Sequence, residues 1–158
     1  MFLLLVTHAL AGDLDQLRLD VSAGMWAGDS TGHVALGGGV GWQHGATFVE
    51  LRHAALQKIC LPGCNDSDTN RTSLLVGRRW SVARGPWTAS ADLAAGVGVG
   101  PDRSYVAPSP TAVGAVAQAR VSAGTPAWGV QMLAMQMAGT PPFDTEVSGG
   151  IYFGAPLR

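Results

Sequence analysis

Residues Trp87 to Gly100 read W-T-A-S-A-D-L-A-A-G-V-G-V-G. Every second residue belongs to one of two unlike sets. Trp87, Ala89, Ala91, Leu93, Ala95, Val97 and Val99 form one face; Thr88, Ser90, Asp92, Ala94, Gly96, Gly98 and Gly100 form the other. A period of two is the mark of a β-strand with two chemically different sides. A helix would scatter the apolar set around its circumference.

The same device recurs along the chain. Further strands are expected at Leu17–Gly28, His33–His44, Thr47–Leu56, Ser73–Ala83, Val113–Gly124, Ala127–Met137 and Thr145–Gly154. That makes eight. The connections after the second, fourth and sixth strands are brief, at His44-Gly45, Arg84-Gly85-Pro86 and Thr125-Pro126. Those after the third and fifth, Gln57–Thr72 and Pro101–Pro110, are long and polar; those after the first and seventh are intermediate. Short turns at one end and longer loops at the other predict an all-β, eight-stranded antiparallel up-and-down transmembrane β-barrel.

Composition points the same way. Charged residues are 13% of the 158, about half the usual share for a soluble domain, while 47% are apolar and 22 are glycine. A surface facing lipid explains the missing charge. A net charge of −1 leaves no basic field for nucleic acid. The apolar run Ala127–Gly139 is too short for the ~20 residues of a spanning helix, yet long enough for a tilted spanning strand. Residues 1–11, with the apolar run Phe2–Val6 before Ala9-Leu10-Ala11, are expected to be a signal peptide, and 12–158 a single barrel domain. The two cysteines, Cys60 and Cys64, flank the turn pair Pro62-Gly63; a small loop disulfide is the preferred reading over half a metal site.

The two faces carry different expectations. Trp42, Trp80, Trp87 and Trp128 lie beside short turns on the apolar face, and Phe153 falls near the same end; together they read as an interfacial aromatic girdle. Arg18, Arg52, Arg79 and Arg120 fall on the opposite face with Asp20, Glu50, Asp92 and Glu146, four cations against four anions. A closed eight-strand barrel is just wide enough for side chains to fill, and buried charges must be paired. An interior ion network is therefore expected. Solvated surface charges would bring more lysine, yet Lys58 is the only one. Arg78 breaks the pattern by falling on the apolar side: either a bulge at Gly77 turns it inward, or it reaches for an interface.

The pattern over residues 17–154, the strand count and the ending Gly149-Gly150-Ile151-Tyr152-Phe153 resemble the small eight-strand outer membrane proteins of the OmpA/OmpX type. The chain differs by continuing through Gly154 to Arg158 after Phe153. The resemblance implies a bacterial outer membrane location, lipid around the wall and a closing strand read by the barrel assembly machinery. It carries over no functional residue. Some such barrels are lipid A enzymes, and Glu50–Ala55 resembles the His-x-Ser element of the deacylases, but Ala55 stands at the serine position. Neither His33, His44 and His53 nor Gly96-x-Gly98-x-Gly100 has the setting of a metal or dinucleotide site. No catalytic residue, metal or cofactor is expected. The work is assigned to the outer loops, as adhesion, recognition or envelope integrity, with the loop partner unnamed. The alternative is a secreted soluble lipocalin-like barrel with its apolar face, Leu93 and Val97 included, turned inward on a small ligand and Asp92 in solvent.

Overall fold

All eight alternating stretches are strands, and each pairs antiparallel with its neighbours until the last meets the first. The computed structural model describes residues 15–27, 32–58, 69–101, 111–138 and 144–157. The strands are β1 (Gln16–Ala27), β2 (Gly32–His44), β3 (Thr47–Lys58), β4 (Thr69–Arg84), β5 (Trp87–Pro101), β6 (Thr111–Gly124), β7 (Trp128–Ala138) and β8 (Asp144–Pro156). They close in sequence order into one barrel. Closure leaves no sheet edge, so every strand finds hydrogen-bond partners on both sides. Residues 1–11, expected to be a signal peptide, the cysteines Cys60 and Cys64, and residues 102–110 lie outside the described residues.

Two of the three short connections follow from glycine. Gly45 and Gly85 have φ of 57° and 61°. Each is the first residue of a two-residue hairpin turn, the place where a type II′ turn needs positive φ. At the third short connection the Thr125 N–H donates to the Trp128 carbonyl at 2.8 Å, and the Trp128 N–H donates to the Thr125 hydroxyl at 3.2 Å.

The structure carries several strands beyond their expected bounds. β3 runs on to Lys58 and β4 begins at Thr69, four residues before the expected Ser73. Thr69-Asn70-Arg71-Thr72-Ser73 is polar on both faces, so alternation cannot mark it; pairing with Leu56 to Arg52 on β3 makes it a strand. β8 also continues past its expected end at Gly154, to Pro156. Gly154, Ala155 and Pro156 oppose Arg18, Leu17 and Gln16 on β1, so the residues that set this chain apart from the OmpA/OmpX ending lengthen the closing seam.

Register fixes the tilt. The row of Cα partners starting at Thr47 passes through Arg78, Leu93, Ala119, Ala134, Val147, Met25 and Val34. It returns to β3 at Gln57, ten residues above where it left. Such a stagger around eight strands tilts them by about 40° from the barrel axis. A step to the next strand along the row then climbs about 3 Å, and each residue along a strand about 2.5 Å.

The interior of a barrel this narrow is filled, and backbone spacing is part of the filling. A Cβ at Gly77 would lie 2.5 Å from the Phe48 ring and 2.7 Å from the Ala94 Cβ. A Cβ at Gly39 would lie 2.8 Å from an Asp20 carboxylate oxygen. Gly77→Val is therefore expected to lower stability by about 1–3 kcal/mol, the usual cost of overpacking. Urea titration in detergent micelles checks this, and an unchanged midpoint would contradict the crowding at Phe48.

Candidate functional site: an ion-paired lumen inside an apolar wall

Alternation sends the charged set inward. Arg52, Glu50, Asp92, Arg120 and Glu146 are almost wholly shielded from solvent. Six of the eight sequence-derived charges form one connected lattice. Arg52 Nη1 lies 2.7 Å from Asp20 Oδ1 and 3.6 Å from Glu50 Oε1. Arg120 Nη1 lies 2.8 Å from Glu50 Oε2 and 3.6 Å from Asp20 Oδ2. The Arg120 Nε donates to Asp92 Oδ2 at 2.8 Å. Arg79 grips the same carboxylate with two bonds, Nε to Oδ1 at 2.7 Å and Nη2 to Oδ2 at 2.8 Å. The register sets this up: Arg79, Asp92 and Arg120 are consecutive Cα partners across β4, β5 and β6.

The other two charges stand apart from the lattice, which corrects the single eight-member network. Among the described residues no carboxylate lies within ion-pair distance of Arg18. Its Nη2 donates to Gln131 Oε1 at 2.7 Å, and its guanidinium carbon lies 3.9 Å from the Tyr152 ring centroid, a cation–π contact. Glu146 pairs instead with Arg71, and Ser148 Oγ donates to Glu146 Oε1 at 3.1 Å. Arg71 lies in a run that is polar on both faces, so alternation gives no sign of it. It makes the described interior five arginines against four acids.

Apolar side chains fill much of the remaining lumen. Leu75, Val116, Leu133, Met135 and Met137 form a buried cluster with Phe48 and Ala94. The Phe48 ring lies under two guanidiniums, its centroid 5.4 Å from that of Arg120 and 5.8 Å from that of Arg79. Alternation alone hid this cluster, because an apolar residue on the polar face looks like noise until the barrel closes.

The outer wall carries the aromatic residues. Trp42, Trp80, Trp87, Trp128 and Phe153 are all exposed, and Trp128 opposes Phe153 across β7 and β8. Counted from the row through Thr47, Trp42, Trp80, Trp128 and Phe153 fall within about 5 Å of one another in height, and Trp87 sits about 8 Å nearer the turn end. Arg78 also faces outward. The pairing around Gly77 is uninterrupted, so no bulge turns Arg78 in. Its guanidinium carbon lies 5.9 Å from the Trp80 ring centroid, at about the height of the aromatic ring.

An inward lattice of ion pairs and an outward apolar surface define the class of small membrane-spanning β-barrels. The N-terminal β-barrel domain of Pseudomonas aeruginosa OprF superposes with a TM-score of 0.61 at 10% identity, covering 89% of this chain and 97% of that one. Neisserial surface protein A gives 0.60 at 8% identity, over 88% and 96%. The Yersinia pestis outer membrane protein Ail, in a phospholipid bilayer nanodisc, gives 0.56 at 11% identity, over 91% and 100%. The chain has the fold of the eight-stranded outer membrane barrels. No protein-family model matches it, and no curated protein matches it in sequence.

Removing one member of the lattice strands its partners in a low-dielectric interior. Asp92→Asn leaves Arg79 and Arg120 facing each other and is expected to cost about 3–5 kcal/mol. Arg71→Met with Glu146→Gln removes both charges of a pair and is expected to cost clearly less. Tryptophan-fluorescence urea titrations of the two variants give the comparison; equal losses would argue against pairing as the source of the effect.

Proposed function

We propose that this chain is an integral outer membrane barrel that serves as a packed, non-conducting scaffold for its longer loops, which act in adhesion, recognition or envelope integrity. The observation that carries the reading is the inversion of the wall. Leu93 and Val97 are 57% and 55% exposed on the outside, while Asp92 is 2% exposed within. Water would reverse that arrangement; a bilayer rewards it. It also opposes the lipocalin-like alternative, which needs Leu93 and Val97 inside and Asp92 outside.

Several features support the finer reading. The aromatic residues near one height suit a girdle at the periplasmic interface, where indole rings favour the headgroup boundary. The lattice and the apolar cluster fill the lumen, so a wide pore is not part of the proposal. No catalytic step is part of it either. Ail is named an attachment invasion locus protein, and a barrel of the same fold with that name fits an adhesive role. The closing strand β8 is the segment the assembly machinery would read.

Heat-modifiable gel mobility tests the location. Protein extracted from the membrane fraction is expected to run faster unheated than boiled. Recovery in the soluble periplasmic fraction without detergent would overturn the reading. Liposomes containing the folded protein are expected to exclude small sugars in a swelling assay, and rapid swelling would refute the packed lumen. Replacing residues 102–110 with a short turn is expected to keep the heat shift while removing surface attachment or detergent resistance.

A further inference from the structure

Within the described strands the outward face carries full charge at two positions, Arg78 and Arg84, both on β4. Arg84 is the last residue of its strand, beside the turn. Arg78 is six residues earlier, at the height of the aromatic ring, where the hydrocarbon begins. No hydrogen bond or ion pair to a described residue involves it. A guanidinium in that position has five donors to satisfy and a strong preference for a carboxylate or phosphate that can accept two of them.

Arg78 also adjoins a groove. Arg78, Leu93, Ala119, Ala134 and Val147 are successive Cα partners from β4 to β8. From Leu93 to Val147 this row floors a shallow apolar concavity of about 440 Å³ on the outer wall, and Arg78 stands just outside its lining, as the Cα partner of Leu93. The two alanines make the floor low. Trp80, Val121 and Met132, one pair of residues nearer the turn end, make its lower bank. The row spans about 19 Å across four strand spacings. It rises about 12 Å along the barrel axis, most of the roughly 15 Å depth of one leaflet's hydrocarbon. The cation therefore stands beside the lower, interfacial end of a shallow concavity that climbs into the membrane from the short-turn side.

We propose that Arg78 and this groove hold one anionic phospholipid of the inner leaflet. Its phosphate accepts hydrogen bonds from the Arg78 guanidinium, and one acyl chain follows the row from Leu93 to Val147. Trp80 flanks the site one pair of residues nearer the turn end, its ring facing the Arg78 guanidinium carbon at 5.9 Å and lining the lower bank of the groove. The inference rests on the membrane reading above and adds a ligand to a wall that the fold alone treats as uniform. The charge complementarity selects a lipid with a net negative headgroup over a zwitterionic one.

Native mass spectrometry of the folded protein, released from detergent micelles doped with equal amounts of phosphatidylglycerol and phosphatidylethanolamine, tests this directly. The wild-type chain is expected to retain a single phosphatidylglycerol with about a tenfold preference, the scale of one charge-assisted contact. Arg78→Gln is expected to bring the preference close to parity, and Arg78→Lys to keep part of it. Ala119→Phe, which fills the groove without touching the lumen, is expected to lower retention of both lipids. Arg84→Gln is expected to behave as wild type. The proposal is overturned if Arg78→Gln keeps the preference, if Arg84→Gln loses as much, or if the groove is covered by a second copy and the protein flies as a lipid-free dimer. Heat-modifiable mobility of every variant separates the two levels. A chain that never gives the folded band in micelles defeats the membrane reading, whereas a folded band without lipid preference defeats only the site.

Discussion

Asp92 is held by Arg79 on one neighbouring strand and Arg120 on the other. That contact shows the constraint on which the whole structure depends. In a bilayer the polar atoms of the backbone and the ionised side chains have no water to turn to, so both must be satisfied within the protein. Closing the sheet meets the two demands together. It removes the unpaired strand edges, and it encloses a space narrow enough that charges on β1, β3, β4, β5 and β6 reach one another. Asp20 and Glu50 each approach both Arg52 and Arg120. With the interior settled, the outer surface is free to be almost wholly apolar.

Much of this was legible from period-two alternation. It assigned the inward set Arg18, Asp20, Glu50, Arg52, Arg79, Asp92, Arg120 and Glu146, the outward tryptophans and all eight strands. Where both faces are polar, as from Thr69 to Ser73, there is no contrast to read, and Arg71 went unseen with the start of β4. Partner choice was hidden as well. Arg18 could be placed inside, yet nothing local says that Gln131, 113 residues away, receives its hydrogen bond. The apolar lumen cluster was obscured for a similar reason. Leu75 and Met135 sit on faces that carry serine, glutamine and arginine elsewhere, and only the closed barrel shows them to be neighbours.

Height was the other hidden quantity. A residue's distance from its own turn is easily counted, but its depth in the membrane depends on the stagger accumulated around the barrel. Trp87 lies next to its turn and falls below the other aromatic residues. Arg78, six residues from the same turn, rises only to their level, because Thr47, its partner on β3, already adjoins the neighbouring turn. This is why an outward arginine that looks misplaced along its strand sits at an interface.

The lattice spans strands that are far apart in the chain, and that has a consequence for how the barrel comes into being. Arg71 and Glu146 are separated by 75 residues, and Asp20 and Arg52 by 32. A partly assembled sheet would present several of these charges to hydrocarbon with no counterion in reach, a state that is costly in any bilayer. Intermediates with the seam between β1 and β8 still open are thus penalised twice, through unpaired backbone and through bare charge. Closure and neutralisation become a single event, and the sheet is pressed toward all-or-none insertion by the same side chains that later keep it rigid.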